Sequence, residues 1–499
     1  MRKSYLYLLA MLLFFDLTQA ADDPFAPASH LDLQKSIRYP DMVSQLEQWG
    51  KDSRFSVFII GKSVENRALY ALRFQNQSEP AWRVLFYAQQ HGDEPAGKDA
   101  LLYLAKYLYE GKLTVPQHVD LYLIPMLNPD GAEANRRTNG NRADLNRDHL
   151  LLEQPETQAL HLFVQKILPH VAVDCHEFGR DGQSFASRGW IKWPIIMLDA
   201  ANYPFLSPEV LNAGSRHIGL VDYFMNHRGH PYTRYYVGGV PPEEEIRHST
   251  TELNDGRNGL ALYGGLSFII ESGRFGRAEN PDSDLAARVD AYLDLLSTFL
   301  QHDPYREENI KNIDNSRTES LPPFIPVNCF WGNCGNRPSR IKVLEQASGK
   351  ELEIETPNFM GDLIVKKTVP TPKGYLIAAA DFKPYQSLLQ RHAVPHHNLT
   401  TKDTFMVEKC QLLRIETEDD PVYERYGGRQ IVERKRAEQM TFPAGALWVP
   451  LEGKAARRAA LILEPCMLYG LYQYDAFRAT VLSDGIVPVY RVMEDKMQK

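Results

Sequence analysis

Three side chains in two distant parts of the chain have the chemistry of zinc ligands. His91 and Glu94 lie three positions apart, where a predicted strand ends and a helix begins, so both can face one point. A catalytic zinc ion uses three nitrogen, oxygen or sulfur ligands from the protein and leaves a fourth position to water. His176 follows the apolar segment 171–175 and is the best third candidate. The sequence therefore predicts a catalytic zinc site.

Other residues near these ligands, and other histidines, support weaker predictions. A single His-x-x-Glu pair is weak evidence, because an isolated histidine is more often a solvated or core residue. Glu177, beside His176, is predicted to interact with a metal ligand rather than with the metal itself. His149 receives no role. The histidines of a polar connector are predicted to be solvated, since no carboxylate or cysteine is spaced to complete a second metal site there; they are His392, His396 and His397.

The segment between the ligands is dense in guanidinium and amide groups. Residues 128–131, 136–139 and 144–148 place Asn and Arg side chains within about twenty positions. A guanidinium matches a carboxylate better than any other side chain, because it donates two parallel hydrogen bonds. The alternative is a charged surface loop held by salt bridges. A cleft that recognises a carboxylate is therefore one of two interpretations of this segment.

The elements that carry these residues are predicted to form an α/β domain. Apolar runs at 83–88, 119–126, 171–175 and 266–270 alternate with segments of helical periodicity. In open α/β sheets, ligands bind beyond the carboxyl ends of the strands. The polar clusters, including Glu271, fall at those ends. We therefore expect a mixed, largely parallel central sheet flanked by helices, with the polar side chains at one edge.

Taken together, these blocks resemble the carboxypeptidase A type family of zinc metallocarboxypeptidases over roughly residues 40–300. The matching features are His91-x-x-Glu94, the 128–131 turn, the block 144–147, His176 after a strand and Glu271 after another. The order and spacing of all five blocks agree with that family. The resemblance implies a zinc hydrolase fold and an exopeptidase activity at a free C-terminus.

The resemblance also implies a role for each matching residue. It implies that one zinc ion is bound by His91, Glu94 and His176. The substrate's terminal carboxylate would be bound by Asn146 and Arg147. Glu271 would be the general base and acid, and Arg137 would polarise the scissile carbonyl. Arg136 is the neighbour most easily mistaken for Arg137. The alternative for Glu271 is a salt-bridged carboxylate beside Arg274. Glu271 follows an apolar strand that leads to the same edge of the sheet as the metal ligands, and this position favours the catalytic role.

Two features of the family's substrate pocket are not fixed by this sequence. Digestive members carry a mobile tyrosine about twenty residues before the catalytic glutamate, where this chain has Ser249 and Thr250. The candidate tyrosines are Tyr235, Tyr236 and Tyr263. Side-chain preference is also open: Asp255 would favour Lys or Arg at the end of the substrate, whereas Arg257 would favour an acidic or diaminopimelate-like residue.

The ends and the composition of the chain suggest export and two domains. Residues 1–20 have the charged start, apolar stretch and small-residue cleavage site of a secretory signal, and the apolar stretch is too short for a membrane anchor. The expected order is a catalytic domain at 21–302, a linker at 303–325 and a smaller all-β, sandwich-like domain at 326–499. A net charge of −7 without a basic run excludes the usual nucleic-acid footprint. No membrane span is expected in the mature chain.

The five cysteines are an odd number for an exported protein. Cys329 and Cys334 are close enough to close a small loop. Cys175 lies in an apolar strand and is predicted to be a buried, inert thiol. Cys410 and Cys466 remain without an assigned partner.

The sequence therefore predicts an exported zinc exopeptidase that acts on peptides with a free C-terminus. A zinc amidase or deacylase acting on murein peptides or N-acyl amino acids is the related alternative, because the same metal site serves it. A peptide-binding protein that keeps the fold without the chemistry is the alternative of a different class. The oligomeric state is left open.

Overall fold

The computed structural model describes residues 31, 33, 35–75, 82–274, 284–301, 305–333, 335, 339–378, 383–417 and 428–494. Its strands are β1 (Phe55–Lys62), β2 (Ala68–Phe74), β3 (Trp82–Ala88), β4 (Val119–Ile124), β5 (Val171–Gly179), β6 (Trp190–Lys192), β7 (Ile196–Ala200), β8 (Tyr232–Arg234), β9 (Val237–Gly238), β10 (Ile246–Arg247), β11 (Leu266–Arg274), β12 (Phe324–Gly332), β13 (Ser339–Glu345), β14 (Glu351–Thr356), β15 (Phe359–Met360), β16 (Asp362–Pro370), β17 (Gly374–Ile377), β18 (His397–Asn398), β19 (Asp403–Glu408), β20 (Cys410–Thr417), β21 (Gly428–Arg434), β22 (Glu438–Phe442), β23 (Leu447–Pro450) and β24 (Val489–Glu494).

The helices of the same residues are α1 (Tyr39–Trp49), α2 (Pro95–Tyr109), α3 (Pro129–Glu133), α4 (Pro155–Ile167), α5 (Gln183–Ala186), α6 (Pro208–Arg228), α7 (Gly256–Ala261), α8 (Leu285–Gln301), α9 (Arg306–Ser316), α10 (Lys383–Arg391), α11 (Ala456–Leu463) and α12 (Asp475–Arg478). Short 3-10 turns lie at Leu145–Arg147, Gly453–Ala455 and Leu471–Gln473.

An eight-stranded mixed sheet organises the first half of the chain. Its order is β1-β2-β4-β3-β5-β11-β7-β8, and the four central strands β4, β3, β5 and β11 run parallel to one another. This confirms the predicted α/β fold with a largely parallel centre. Parallel strands buried on both faces carry continuous apolar runs, and β4 is buried at every one of its six positions.

Helices cover both faces of this sheet. On one face, α2 and α8 pack together over the central strands, and their apolar side chains form the largest core cluster. On the other face, α4 packs against β1, with Leu160 and Val164 in a second cluster. Helices on both faces exclude water from the centre of the sheet, which favours apolar side chains there.

The two strands that carry predicted site residues are longer than expected. The sequence predicted that His176 and Glu271 follow the ends of their strands, but β5 continues to Gly179 and β11 to Arg274. These expected strand ends were wrong, because the two segments keep pairing in parallel up to the match of Gly179 with Arg274. His176 and Glu271 are direct partners in that register, so they are adjacent on the sheet.

The C-terminal region is rich in strands, as predicted, and it also contains helices. A six-stranded sheet has the order β18-β23-β17-β24-β19-β22, and β12 pairs with β16 as β20 does with β21. The all-β expectation for this region was wrong at the apolar segment 459–463, which belongs to helix α11. Its sequence is rich in Ala, Leu and Arg, which favour helix, and a short apolar run does not by itself distinguish a buried helix from a strand.

The two regions share strands and core. Strand β13 pairs with β6 in an antiparallel arrangement, and β15 pairs with β10 in a parallel one. Leu150 and Leu253 of the first region belong to the same apolar cluster as Tyr385 and Leu461 of the second. The segment predicted as a linker contains helix α9, which packs on α6.

Several predictions concern single residues or the chain's ends. Cys175 is buried, and burial raises the pKa of its thiol well above the ordinary value, as expected of an inert cysteine. The thiols of Cys410 and Cys466 lie 3.7 Å apart and are free. Cys334 and the predicted signal segment 1–20 lie outside the described residues. Within the described part of the chain, every helix is too short or too polar to cross a bilayer.

Candidate active site

The three predicted metal ligands converge at one edge of the central sheet. His91 and Glu94 stand between β3 and α2, and Glu94 immediately precedes the first residue of that helix. His176 extends from β5, the strand next to β3. All three side chains are buried, and each offers a ligand atom within 4.8 Å of the other two.

The protons of the two imidazoles show what this cluster requires. Nε2 of His91 lies 3.0 Å from a carboxylate oxygen of Asp144, and Nε2 of His176 lies 3.0 Å from one of Asp174. Each Nε2 therefore donates, which leaves the lone pair of each Nδ1 pointing inward.

The two inward-facing nitrogens are 3.1 Å apart, and each lies within 3 Å of an oxygen of Glu94. Such an arrangement of acceptors is repulsive unless a cation lies among them. Two imidazole nitrogens and a carboxylate also match the donor set of catalytic zinc sites. The residues therefore fit a zinc ion.

The ionisation of the ligands reflects the same excess of acceptors. Burial alone would lower the pKa of His176, but Asp174 and Glu94 outweigh it and raise that pKa well above the ordinary value. Burial alone would raise the pKa of Glu94, but His91 and His176 hold it well below the usual range. Without a metal ion, protons bound to the ligand side chains thus supply the positive charge that this cluster of acceptors attracts.

Glu271 faces the same cleft from β11. It pairs in register with His176 on β5, and both His91 and Glu94 line the cleft with it. Burial raises the pKa of Glu271 to about 7, with Glu94 adding to that effect and His176 opposing it. A carboxyl with a pKa near neutrality can both accept and return a proton at working pH.

The structure distinguishes between the two neighbouring arginines. Arg137 lines the cleft, donates from Nε to Asp144 at 2.9 Å and brings its guanidinium within 3.7 Å of Glu94. Arg136 instead donates to backbone carbonyls of its own loop at Thr138 and Asn139. Only Arg137 is placed beside the predicted metal ligands.

Asn146 and Arg147 reach the cleft from a 3-10 turn. The side chain of Asp144 accepts from the backbone N–H of Asn146 at 2.9 Å, which begins this turn. Asn146 uses its Oδ1 to accept from Gly256, so its amide nitrogen is the part that remains for a ligand. Arg147 is half-buried and lines the cleft.

The two candidate selectors of substrate side chain interact with each other. Asp255 begins helix α7 by accepting from the backbone of Asn258 at 2.7 Å, and it also accepts from Arg257 at 3.0 Å. Arg257 in turn donates to the carbonyls of Ala200 and Thr250. Both residues line the cleft, but their charges neutralise each other, so neither is a free selector.

A further cation, which the sequence analysis did not consider, lies nearby. Arg247 of β10 is buried and lines the same end of the cleft. Its strand is paired with β15, and Trp331 of β12 donates to the carbonyl of Ser249 at 2.9 Å. The C-terminal region therefore holds part of the cleft wall.

The three candidate tyrosines occupy different environments. Tyr235 lines the cleft, and burial followed by Glu271 raises the pKa of its hydroxyl. Tyr236 lies in an apolar cluster with Phe185. Tyr263 is buried behind the cleft and contacts His161. Only Tyr235 is placed to meet a substrate.

Residues that support the ligands were partly visible in the sequence. Asp174 precedes His176 by two positions, so both point to one side of β5; this spacing was the available signal. Glu177 contributes its backbone N–H to Glu94 at 3.0 Å, while its carboxylate accepts from Ala96 and pairs with Arg288. It therefore supports the ligand from outside, as predicted.

The prediction that His392 is solvated was wrong. Its side chain is fully buried and its Nε2 lies 2.8 Å from the carbonyl of Leu150, because the two regions share a core at this point. His396 is half-buried and His397 is exposed. His149, which was given no role, is fully buried and contacts Gln90 and His161.

Parts of this chain are similar in sequence to known zinc carboxypeptidases. The zinc carboxypeptidase family model matches residues 44–155. Carboxypeptidase SOL1 of Arabidopsis thaliana is 33% identical over 132 residues, which are 22% of this chain and 26% of that protein. Carboxypeptidase 2 of Trichophyton tonsurans is 24% identical over 442 residues, covering 82% of this chain and 76% of that protein. The chain thus spans from about a quarter to three quarters of these relatives' lengths.

Solved structures show a similar pattern. A metallo-carboxypeptidase from Burkholderia cenocepacia is 18% identical, with a TM-score of 0.41, and the match covers 53% of this chain and 69% of that one. A metallo-carboxypeptidase from Pseudomonas aeruginosa, in complex with (2-guanidinoethylmercapto)succinic acid, is 20% identical with a TM-score of 0.40; the match covers 56% of this chain and 70% of that one.

Proposed function

We propose that the protein is a zinc-dependent exopeptidase, on the premise that the zinc carboxypeptidase family model matches its residues 44–155. It hydrolyses the peptide bond next to a free C-terminal carboxylate. One observation carries the proposal. A single cleft is lined by members of the metal cluster, by Glu271, and by Asn146 and Arg147, whose chemistry suits a carboxylate.

We assign one zinc ion to His91, Glu94 and His176. When bound, zinc supplies Lewis-acid chemistry, lowering the pKa of a coordinated water toward ~7 and polarising a carbonyl oxygen. Asp144 and Asp174 orient the two imidazoles by accepting from their Nε2 atoms. Carboxylate partners of this kind also make an imidazole a more basic ligand.

The terminal carboxylate of the peptide is bound by the two residues of the 3-10 turn. The guanidinium of Arg147 and the amide nitrogen of Asn146 are donors, and neither carries a negative charge that would repel a carboxylate. Binding at this point fixes the last residue of the peptide in the cleft. It therefore places the last peptide bond, rather than an internal one, beside Glu271 and Arg137.

Glu271 and Arg137 carry the chemistry that the chain itself provides. Glu271 accepts a proton from the attacking water and later returns one to the leaving amine, which its pKa of about 7 permits in both directions. Arg137 donates to the oxygen of the scissile carbonyl as negative charge develops there. One such donor typically contributes ~3 to 4 kcal/mol to the transition state.

The decisive experiment compares each peptide of a mixed library with its C-terminally amidated form. Cleavage is followed by mass spectrometry, with and without a chelator. We expect loss of only the last residue from the free acids, no cleavage of the amides, inactivation by the chelator and recovery with zinc. Cleavage within the peptides, or equal cleavage of the amides, would contradict the proposal.

The same experiment separates the alternatives. Turnover of N-acyl amino acids or murein peptides, but not of ordinary peptides, would identify an amidase or deacylase. Binding without turnover would identify a peptide-binding protein. Export is proposed from the pattern of residues 1–20 alone, and it is checked by sequencing the N-terminus of the mature protein, which should begin near Ala21.

A further inference from the structure

Three histidines that the proposed reaction does not use lie behind the cleft. His149, His161 and His392 are fully buried, and the ring centroids of His149 and His161 are 5.1 Å apart. Burial lowers the pKa of His149 to about 3 and that of His161 well below the ordinary value, so both rings are neutral at pH 7. A neutral imidazole has one donor nitrogen and one acceptor nitrogen. The neighbours of each ring therefore decide which nitrogen holds the proton.

Two of these histidines belong to a continuous chain of hydrogen bonds, the histidine relay. Its members, in order, are Gln165, Tyr263, His161, His149, Gln90 and Asp174. The successive distances between their polar atoms are 3.2, 2.9, 2.9, 2.8 and 2.7 Å. The relay ends at the metal site, because Asp174 accepts from Nε2 of His176 at 3.0 Å.

The outer end of the relay fixes the direction of its hydrogen bonds. The amide nitrogen of Gln165 can only donate, so the hydroxyl oxygen of Tyr263 accepts from it. The single hydrogen of Tyr263 is then available for Nδ1 of His161. With that hydrogen donated to Nδ1, His161 carries its own proton on Nε2 and donates it to Nδ1 of His149.

The inner end gives the same direction independently. The carboxylate of Asp174 can only accept, so the amide nitrogen of Gln90 faces it and the amide oxygen of Gln90 faces His149. That oxygen requires a proton on Nε2 of His149, which leaves Nδ1 of His149 to accept from His161. Agreement between both ends means that every donor in the relay has an acceptor.

We propose that the histidine relay is a positioning device for the metal site. It holds Asp174 by a directed hydrogen bond and thereby keeps the proton of His176 on Nε2, so that Nδ1 stays available to the metal. The inference rests on the proposed role of His176 as a zinc ligand. The relay members from Gln165 to His149 act through Gln90, whose amide nitrogen donates to Asp174 at 2.7 Å and lies 3.4 Å from Nε2 of His176.

The C-terminal region holds the outer end of the relay. Gln165 also donates to the carbonyl of Arg391 at 3.1 Å, and the guanidinium of Arg458 lies 4.4 Å from the centre of the Tyr263 ring. The ring of His392 packs edge-on against His161, with centroids 5.7 Å apart. The C-terminal region therefore contacts the relay through one backbone carbonyl and two side chains, which restrict the positions open to Gln165, Tyr263 and His161.

The test removes one hydroxyl at the outer end and measures zinc affinity by competition with a chelator. In the Tyr263→Phe variant, His161 loses the donor to its Nδ1, so its tautomer is no longer fixed. We expect the Kd for zinc to rise about tenfold, as for other outer partners of metal ligands. The d–d absorption spectrum of the cobalt-loaded variant should change as well, because the ligand His176 would become less well oriented.

Tyr203→Phe is the matched control. Tyr203 is also a buried tyrosine at the boundary between the two regions, and among the described residues its hydroxyl contacts the carbonyl of Pro326 at 2.7 Å and Met467 at 3.3 Å rather than the metal site. Both variants should lose a similar amount of thermal stability, whereas only Tyr263→Phe should weaken zinc binding. Equal zinc affinities in the two variants would overturn the proposal.

A second measurement needs no metal. Imidazole ¹⁵N shifts of the metal-free protein at pH 7 should show the Nε2–H tautomer for His149 and His161, and Tyr263→Phe should alter both. An Nδ1–H tautomer at either ring, or an imidazolium, would overturn the relay. If the wild-type protein bound zinc no better than a His176→Ala variant, the proposed function would fail, while the tautomers would still decide the relay.

Discussion

Two regions of this protein bury clusters of charged side chains. The clusters differ in whether their hydrogen-bond donors and acceptors balance. In the C-terminal region, Arg491 is fully buried among Glu464, Glu408 and the carbonyl of Pro370. Its Nε lies 3.0 Å from Glu464, and the hydroxyl of Tyr375 donates to the same carboxylate at 3.0 Å. Donors here are matched to acceptors, so the cluster needs nothing from outside.

The cluster at the sheet edge is matched differently. His91, His176 and Glu94 turn acceptor atoms toward one another, and their outward-facing atoms are the ones that have partners. A cluster of this kind is stable only when a cation completes it. It also adjoins a cleft, whereas the Arg491 cluster is enclosed by apolar side chains such as Val489 and Val449.

The comparison shows how a structural cluster of charges can be distinguished from a functional one. Burial and short contacts are common to both and do not discriminate between them. The discriminating property is the balance of donors and acceptors, together with access from a cleft. Perturbing each cluster should therefore affect a different quantity, activity in one case and folding in the other.

The largest expected effect comes from Glu271→Gln at the sheet edge. Removing the proton acceptor should lower kcat about 10²- to 10⁴-fold, the range expected for loss of a general base. Zinc affinity should remain close to that of the wild type, because Glu271 is not among the three ligands. Steady-state kinetics and zinc competition check this; a loss of zinc binding in step with activity would place Glu271 among the ligands.

Glu464→Gln tests the enclosed cluster. It removes one charge beside the fully buried guanidinium of Arg491 and should lower the free energy of unfolding by about 3 kcal/mol, since breaking a buried pair leaves a charge poorly compensated. Urea unfolding measures the change. The kcat of the molecules that remain folded should match the wild type, and a fall in kcat without loss of stability would contradict the distinction drawn between the clusters.

Arg137→Lys tests the cleft cation next to the metal ligands. Lysine keeps the charge but not the planar pair of donors, so we expect kcat to fall about 100-fold, at the low end for losing an oxyanion donor. Arg136→Lys is the matched control and should leave kcat unchanged, because Arg136 contacts backbone carbonyls of its own loop. Equal losses in both variants would mean that the loop, not the cleft, is affected.

The smallest expected effect concerns His392, at the boundary between the regions. Burial lowers its pKa to about 3, whereas an unfolded histidine titrates near 6.5. Because the folded pKa is depressed, the stability contribution is complete above pH 6.5 and decreases as the pH falls below that value. This histidine should therefore lower the free energy of unfolding by about 1.4 kcal/mol at pH 5.5 compared with pH 7.5.

Replacing His392 by Gln should remove that part of the acid sensitivity, since an amide can still donate to Leu150 without titrating. His397→Gln is the control, because His397 is exposed and should leave the pH dependence unchanged. Urea unfolding at the two pH values compares the variants. An unchanged acid sensitivity in His392→Gln would indicate that this ring is not held in its neutral form.

The sequence alone predicted the sheet, and it grouped the residues that the structure brings together at its edge. Apolar runs with a strand's length predicted β3, β4, β5 and β11, because parallel strands buried on both faces must be apolar throughout. The predicted side chains meet because the carboxyl ends of parallel strands lie at a common edge. Polar residues after such strands are therefore predictable from local pattern.

Other features depended on contacts between residues far apart in the chain. The burial of His392 and the helix at 456–463 each depend on which distant segment packs against them. Side-chain types do not specify those neighbours. The helix illustrates the point, since a short apolar run does not by itself distinguish a buried helix from a strand, and this one packs as a helix in the core that the two regions share.

What the sequence determined was the set of side chains able to bind a metal and move a proton, because chemical type and position relative to an apolar run are local properties. What only the tertiary structure decided was the direction of each hydrogen bond around that set, as in the relay from Gln165 to Asp174. Direction depends on the three-dimensional arrangement of donors and acceptors, which residues remote in the chain provide together.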